Sequence, residues 1–511
     1  MSYIKQEYYD IVLIQPPLFK EYKKDSENEK IEIAYWKAME EKHIRLLGDL
    51  PTEASYAILS IGSYLKTKSY NVKILDFHMM DFLKRKETGT SLTQEEIEFE
   101  IKKNKSKFYG ITVLTIADKW SNSISNLIRN INSQSYIFWG GYYPTKNYNY
   151  ILDKNRNIDF IVRNEGELII NDILNKYKNK SLNLSNIKGI SYRINNKIIA
   201  NEDYDIELDI KKLPNLNYNL YDYNLRKILV PRIYTARGCN NDCIYCTANN
   251  SNIKKLRKRE VNLVVDEIQE IYEKYGKKFF VMGDLEFLMD LEYSKSICQE
   301  IIDRCLDVKW WCQIYPKHVD NETIELMKKA GNIQIAMGIE SKSEKLLKEV
   351  NKEVNTDITI EMINLIKKHG IQIQAYIMVG LPGDTFNSVL ENIEFIGELV
   401  KEELIDATHL AIMTPYPGSE IYNNQEKYGV EILTSNSNEY YMNCDFLGAS
   451  IPTYNIKNLT NLEIYSLWLL GMAHLEKCFK YRKNTNENYK AIYNELNLDE
   501  ISILDRYYNL N

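Results

Sequence analysis

The sequence predicts an α/β protein with two parallel-sheet units and a small helical C-terminal region. Three observations predict it. Short β-branched runs alternate with stretches of helical spacing, five times before residue 205 and six times after residue 226. The alternation lapses in residues 206–225, a proline-punctuated stretch that reads as a surface linker. Three cysteines, Cys239, Cys243 and Cys246, follow the first apolar run of the second unit, where βα barrels carry their chemistry. The resulting division is 1–205, a doubly wound Rossmann-like domain; 206–225, a linker; 226–425, a partial barrel; and 426–511, a mostly helical end.

In the first unit, Tyr9 to Gln15 is a buried-strand pattern stopped by Pro16 and Pro17. Helical spacing follows at Ile58, Leu59, Ile61 and Leu65, then strand-like Val72 to Leu75. Tyr109 to Thr115 is a third strand, and Ile124, Leu127, Ile128 and Ile131 mark a helix. Tyr136 to Trp139 is a fourth strand, ended by Gly140 and Gly141. Ile158 to Val162 is a fifth, ended by Arg163-Asn164-Glu165-Gly166-Glu167. In doubly wound sheets ligands bind beyond the carboxyl ends of the strands. Pro16, Pro17, Thr112, Thr115, Gly140, Gly141, Glu165 and Gly166 all fall there. Lys20 to Gly48 is a charged insertion with Tyr35 and Trp36. Lys84 to Lys107, dense in Lys and Glu, reads as a solvated helix. Ile187 to Ala200 alternates around Asn195-Asn196 and reads as a hairpin.

The second unit repeats strand and helix. Its strands are Ile228 to Tyr234, Phe279 to Met282, Val308 to Ile314, Ile333 to Met337, Ile371 to Val379 and Ala407 to Met413. Six units are fewer than the eight of a closed barrel. In the last region Thr460 and Glu463 read as a capping box before an apolar helix, and His474 and Cys478 as packing residues of that helix.

The cysteines stand at CxxxCxxC spacing. Iron–sulfur clusters are held by cysteine thiolates, and a cubane of four irons normally takes four. Three ligands on one loop leave one iron open to chelate a small molecule. The alternatives are a zinc site, which needs a fourth ligand, or buried free thiols.

CxxxCxxC with Tyr245 before the last cysteine resembles the signature of radical S-adenosylmethionine (SAM) enzymes. The later strand ends are similar too: Gly283-Asp284-Leu285-Glu286, Gly338-Ile339-Glu340-Ser341, Asn351-Lys352 and Gly380-Leu381-Pro382-Gly383-Asp384-Thr385. The resemblance implies a 4Fe-4S cluster on Cys239, Cys243 and Cys246, with SAM on the open iron, split to a 5′-deoxyadenosyl radical. It implies SAM contacts from the backbone near Tyr245, from Gly283, from Asp284 or Glu286, from Glu340, Ser341 and Lys352, and from Gly380 and Pro382. The first unit resembles the cobalamin-binding domain that precedes the radical SAM barrel in one large subgroup. The post-strand Pro16-Pro17, the strand through Thr112 and Thr115, Gly140-Gly141 and the Glu165-Gly166-Glu167 turn carry that likeness. The lower-ligand histidine of methionine-synthase-type domains is missing here: Gln15-Pro16-Pro17 stands in its place, and His78 reads as a loop residue after the second strand. Many enzymes of the subgroup also lack that ligand.

The implied function is a cobalamin-dependent radical SAM methyltransferase acting on a small molecule or peptide, with an electron donor such as flavodoxin or ferredoxin. The rivals are a cyclase, ring-contracting or oxidising enzyme with the same cofactors, a methylthiotransferase, and a cobalamin sensor. No cysteine precedes Cys239, which argues against the methylthiotransferase. Composition fits. A hydrophobic fraction of 44% and a charged fraction of 27% are ordinary for a globular protein. A net charge of −6 gives no basic footprint for nucleic acid. No basic-then-apolar leader and no run of 18 apolar residues is seen, so no membrane is expected. Eight cysteines, three of them clustered, fit a reducing cytoplasm.

Overall fold

Strands of the first unit are apolar on both faces, so each must be covered twice, and the fold does this with helices above and below. The computed structural model describes residues 6–18, 53–88, 90–204, 210–248, 255–317, 319–434 and 452–481. The first sheet has the order Val72–Asp76, Ile11–Gln15, Phe108–Thr112, Tyr136–Gly140, Phe160–Val162, Ile190–Ile194, Lys197–Ala200. Its first five strands are parallel and the last two form an antiparallel hairpin. Strand residues alternate between two cores. Val12, Ile14, Tyr109, Ile111, Ile137 and Trp139 pack under helices Gln94–Lys103, Asp118–Ile131 and Tyr142–Lys154. Ile11, Leu13, Phe108, Phe138 and Phe160 face helices Tyr56–Thr67 and Glu167–Lys178. The chain leaves Ile11–Gln15 to one side and Phe108–Thr112 lies on the other, so the switch in strand order falls between them.

The second sheet has six parallel strands in sequence order: Arg232–Ile233, Phe279–Met282, Lys309–Ile314, Asn332–Glu340, Gln372–Val379 and Ala407–Ile412. The barrel is open, and both edges are covered. Glu53 bridges Val230 beside the first strand, and the Ala54 N–H donates to the Val230 carbonyl at 3.3 Å. At the sixth strand the helix Asn461–Lys480 packs across, its Trp468 indole N–H donating to the Leu410 carbonyl at 2.7 Å. That helix starts with the expected capping box of Thr460 and Glu463. His474 and Cys478 lie against Gly397, where an added Cβ would sit 2.7 Å from the imidazole and 3.0 Å from the thiol. They are packing residues, as the sequence indicates. Among the described residues no helix is long and apolar enough to cross a membrane.

Four expectations are corrected. The stretch after residue 210 is no surface linker: Leu216, Tyr218, Leu220 and Tyr221 are all buried, and they join the cores of the two units into one cluster. The Tyr221 hydroxyl donates to Asp76 at 3.0 Å and accepts from the Ser55 N–H at 3.2 Å. Tyrosines that pack by ring and bond by hydroxyl leave no apolar periodicity to read. The first barrel strand is short, because Tyr223–Ile228 is a helix. The Lys/Glu-rich stretch forms an amphipathic helix, Gln94–Lys103, with Ile97 and Ile101 fully buried. His78 sits in helix Phe77–Thr88 and is buried, not on a loop.

Candidate active site between two facing sheet ends

The cysteine loop follows the first barrel strand. Its base is a two-residue antiparallel ladder, Ala236–Arg237 with Arg257–Lys258. Cys243 is buried, Cys239 and Cys246 are half-buried, and none of the three is in a disulfide. The loop is pinned from within and from two sides. The Cys246 N–H donates to the Cys243 carbonyl, the Ile244 N–H to Val350, and the Ile421 N–H to Ile244, each at 3.1 Å. Burial pushes the Cys243 thiol up to about 11, against the pull of Lys352. Among the described residues no three His, Cys, Asp or Glu side chains converge as the ligands of a single ion must. A cubane places its three thiolates on three different irons, so three separated thiols on one pinned loop suit a cluster better than zinc.

Asp284 and Glu286 part company here. Asp284 accepts from the Thr235 N–H at 2.9 Å, the Ala236 N–H at 2.9 Å and the Thr235 hydroxyl at 2.6 Å. It ties off the first strand, and burial pushes its carboxyl up to about 6. Glu286 instead faces the cysteine loop: it pairs with Lys317 at 3.0 Å and accepts weakly from Asn241 at 3.4 Å. Gly283 packs where a Cβ would meet Arg232 and Tyr234 below 3 Å.

At the end of the fourth strand, Glu340 has φ +60° and sits just past a register shift against the fifth strand. The shift turns its carboxylate toward the barrel mouth. One carboxylate oxygen takes Lys352 at 2.6 Å and the Tyr245 hydroxyl at 3.4 Å. Its other oxygen, Oε2, is buried and has no partner. Buried polar atoms are nearly always paired, so this oxygen is available to a ligand. Lys352 also lies 5.2 Å from the centre of the Tyr315 ring. Buried Asn392 clamps the turn, donating to the Glu340 carbonyl at 2.9 Å and accepting from the Lys342 N–H at 2.9 Å. Ser341 is buried and accepts from the Ser343 N–H at 3.2 Å.

At the fifth strand, Gly380 has φ +83°. An added Cβ would lie 2.4 Å from the hydroxyl of Tyr454, which donates to the Gly380 carbonyl at 3.1 Å. Asp384 closes the turn by accepting from the N–H groups of Gly380 and Leu381, both at 3.0 Å. Pro382 is buried within it. Tyr454 brings the C-terminal region to this loop. Nothing in its sequence announced that role, nor that of Asn392, which reads as an ordinary helix residue.

The first unit presents its own strand ends to this mouth. Pro16 and Pro17 are buried beside Gln15, which accepts from the Ser55 hydroxyl at 2.9 Å. Thr112 and buried Thr115 stand across the switch point. Gly140 and Gly141 follow, and Gly141 has φ +112°, with the Val113 carbonyl 3.0 Å from where a Cβ would be. The next residue, Tyr142, is 43% exposed. Its hydroxyl is enclosed beside Tyr234, Cys246 and Glu165, which pushes its pKa up to about 12. Lys146 of the same helix packs against Gly418 of the sixth barrel turn. The two carboxyl edges therefore face each other.

Glu165 and Gly166 have protein partners of their own. Gly166 packs against Ile61 and Ile170. Glu165 pairs with Arg257 and Arg237, and Glu167 with Arg237, so this turn reaches across to the base of the cysteine loop.

A parallel half-barrel with three thiols after its first strand, set against the ligand edge of a doubly wound sheet, defines a two-domain α/β cofactor enzyme. Residues 233–396 match the Radical SAM superfamily. An uncharacterized methyltransferase of Pyrococcus horikoshii is 25% identical over 406 residues, 78% of this chain and 83% of that one. The anaerobic magnesium-protoporphyrin IX monomethyl ester cyclase of Rubrivivax gelatinosus is 26% identical over 374 residues, 71% of this chain and 64% of the cyclase. Among solved structures, the radical SAM methyltransferase TsrM from Kitasatospora setae, with cobalamin and 4Fe-4S cluster bound, superposes with a TM-score of 0.64. It is 15% identical and covers 92% of this chain and 89% of its own, a likeness of fold.

Proposed function

We propose that this chain is a cobalamin-dependent radical SAM methyltransferase, moving a methyl group to an unactivated centre of a small molecule or peptide. The observation that carries the reading is the opposition of two ligand edges: the cysteine loop and barrel mouth on one side, the switch-point crevice on the other. Residues 1–205 form the cobalamin-binding domain, 206–225 the connection, 226–425 the radical SAM barrel and 426–511 a C-terminal region whose helix Asn461–Lys480 covers the far edge. When bound, the cluster supplies the electron that cleaves SAM, and cobalamin supplies the methyl group.

Cys239, Cys243 and Cys246 hold the cluster. Glu286 takes the amino group of SAM, since Asp284 is committed to the first strand. Glu340 offers its unpaired Oε2 to the ribose, with Ser341 beside it and Lys352 holding the charge balance. Gly380, Pro382 and the backbone at Tyr245 line the adenine. Pro16, Pro17, Thr112, Thr115, Gly140 and Gly141 meet the corrin and its tail, the glycines allowing close approach. Tyr142 stands between the two sides. A flavodoxin- or ferredoxin-type donor and a cytoplasmic, reducing setting complete the proposal.

The cyclase relative supports a second reading, the same cofactors without methyl transfer. The test follows SAM. Reconstituted protein is incubated anaerobically with methyl-deuterated SAM, hydroxocobalamin, reductant and a small-molecule extract of the source cells. Methyl transfer yields S-adenosylhomocysteine and 5′-deoxyadenosine in nearly equal amounts, and a product carrying the label. Sustained 5′-deoxyadenosine with altered substrate, but no S-adenosylhomocysteine and no label, would select the cyclase or oxidase instead.

A further inference from the structure

The Glu165-Gly166-Glu167 turn ends a strand of the first unit, yet its carboxylates address the second. The Glu165 side chain is 10% exposed and that of Glu167 is 4%. Glu167 accepts from the Arg237 guanidinium at 2.7 Å and from the Ser60 hydroxyl at 2.6 Å. Glu165 sits 3.3 Å from Arg237 and accepts from Arg257 at 3.0 Å. Arg237 also donates to the Tyr56 hydroxyl at 3.0 Å and to Ser60 at 3.1 Å. Arg237 and Arg257 are cross-strand partners in the small ladder at the base of the cysteine loop. Arg237 stands two residues before Cys239 and Arg257 closes the loop beyond Cys246. One turn of the first unit thus grips both ends of the loop that carries all three thiols. Two cations meet two carboxylates out of water, an arrangement that fixes geometry more than it stabilises the fold.

We propose that Glu165 and Glu167 are positioning residues of the cluster site. Through Arg237 and Arg257 they seat the cysteine loop and set the charge beside it. The inference rests on the cluster assignment above. It takes these carboxylates away from the corrin, where the motif's place in the first unit suggested they belong.

Charge gives a signed test, because cluster potential follows the net charge around it. In the reconstituted full-length protein, Glu167→Gln leaves Arg237 less compensated, so the midpoint potential of the cluster rises. Arg237→Gln removes the cation, so the potential falls. Loosening of the loop alone would move both variants the same way. Hydroxocobalamin affinity, read by absorbance, stays within about twofold of wild type in Glu165→Gln and Glu167→Gln. Iron content of the wild type is measured first and reports on the cluster assignment separately. A readout without metal serves whatever that result: in cluster-free protein, Glu165→Gln speeds tryptic cleavage at Arg257 at least fivefold. Potentials that shift alike or not at all, unchanged cleavage, or a tenfold loss of cobalamin affinity in the Gln variants would each overturn the proposal. Should Glu167→Gln fail to fold, Glu165→Gln carries the same upward shift.

Discussion

Glu340→Gln separates the structural from the ligand-binding role of the fourth-strand turn. The Glu340 and Lys352 side chains are 7% and 6% exposed and their charged atoms lie 2.6 Å apart. Removing one partner of a buried pair leaves an uncompensated charge, at about 3–5 kcal/mol. The Tyr315 ring, 5.2 Å from the ammonium, still faces the cation in the variant, which keeps the loss at the lower end of that range. A net loss of about 3 kcal/mol follows. For a unit of roughly 150–250 residues each kcal/mol lowers Tm by about 2–4 °C, so the drop is about 6–12 °C. The double variant Glu340→Gln with Lys352→Met removes both charges and recovers most of it. SAM binding does not recover, because the anionic acceptor at Oε2 is gone. A charge-assisted hydrogen bond contributes about 1.5–3 kcal/mol, at least tenfold in Kd. Differential scanning fluorimetry of cluster-free protein gives the first quantity, and equilibrium dialysis of SAM against reconstituted protein the second. A single variant melting within 2 °C of wild type, or a double variant that binds SAM normally, would refute the reasoning.

His78→Ala leaves the cobalt spectrum of the cobalamin-loaded protein unchanged, since His78 is packed in helix Phe77–Thr88; a spectral change would make it the lower ligand. Gly380→Ala destabilises by about 1–2 kcal/mol, from its φ of +83° and the Tyr454 hydroxyl in the way of the new methyl; adding Tyr454→Phe recovers part, and a Tm shift read for both variants checks it. Asp284, raised to about 6, binds its proton more tightly folded than unfolded. Its contribution to stability therefore falls as pH rises from about 4 to about 6. Asp284→Asn flattens that part of the Tm–pH curve, and an unchanged curve would count against the assignment.

The sequence was readable where one local pattern dictates the outcome. Largely apolar runs became the central strands of both sheets, and the three thiols, the glycine-proline turns and the capping box fell where their spacing put them. Reading failed where a residue's role is set by something distant in the chain. Glu165 and Glu167 sit at a strand end, as a cofactor contact would, but their partners lie about 70 and 90 residues on, and only the folded chain brings Arg237 and Arg257 to them. Asp284 and Glu286 are equivalent on paper; the backbone of Thr235 and Ala236 decides which is taken. Tyr221 is polar by composition and buried in fact, because Asp76 and the Ser55 N–H satisfy its hydroxyl while its ring fills a core. Asn392 and Tyr454 carry no local signal, since each acts on a turn formed elsewhere.

The covered barrel edges bear on how such a protein can be rebuilt. An uncapped strand edge invites pairing with another chain. Here the first edge is finished by Glu53 and Ala54 from the preceding domain, and the last by a helix from the following region. The barrel is therefore not a cassette. A chimera that kept residues 226–425 and exchanged the flanks would have to import its own edge strand and closing helix, or precipitate. Grafting new substrate scope onto this scaffold is better attempted at residues facing the mouth, such as Tyr142, than by swapping whole domains.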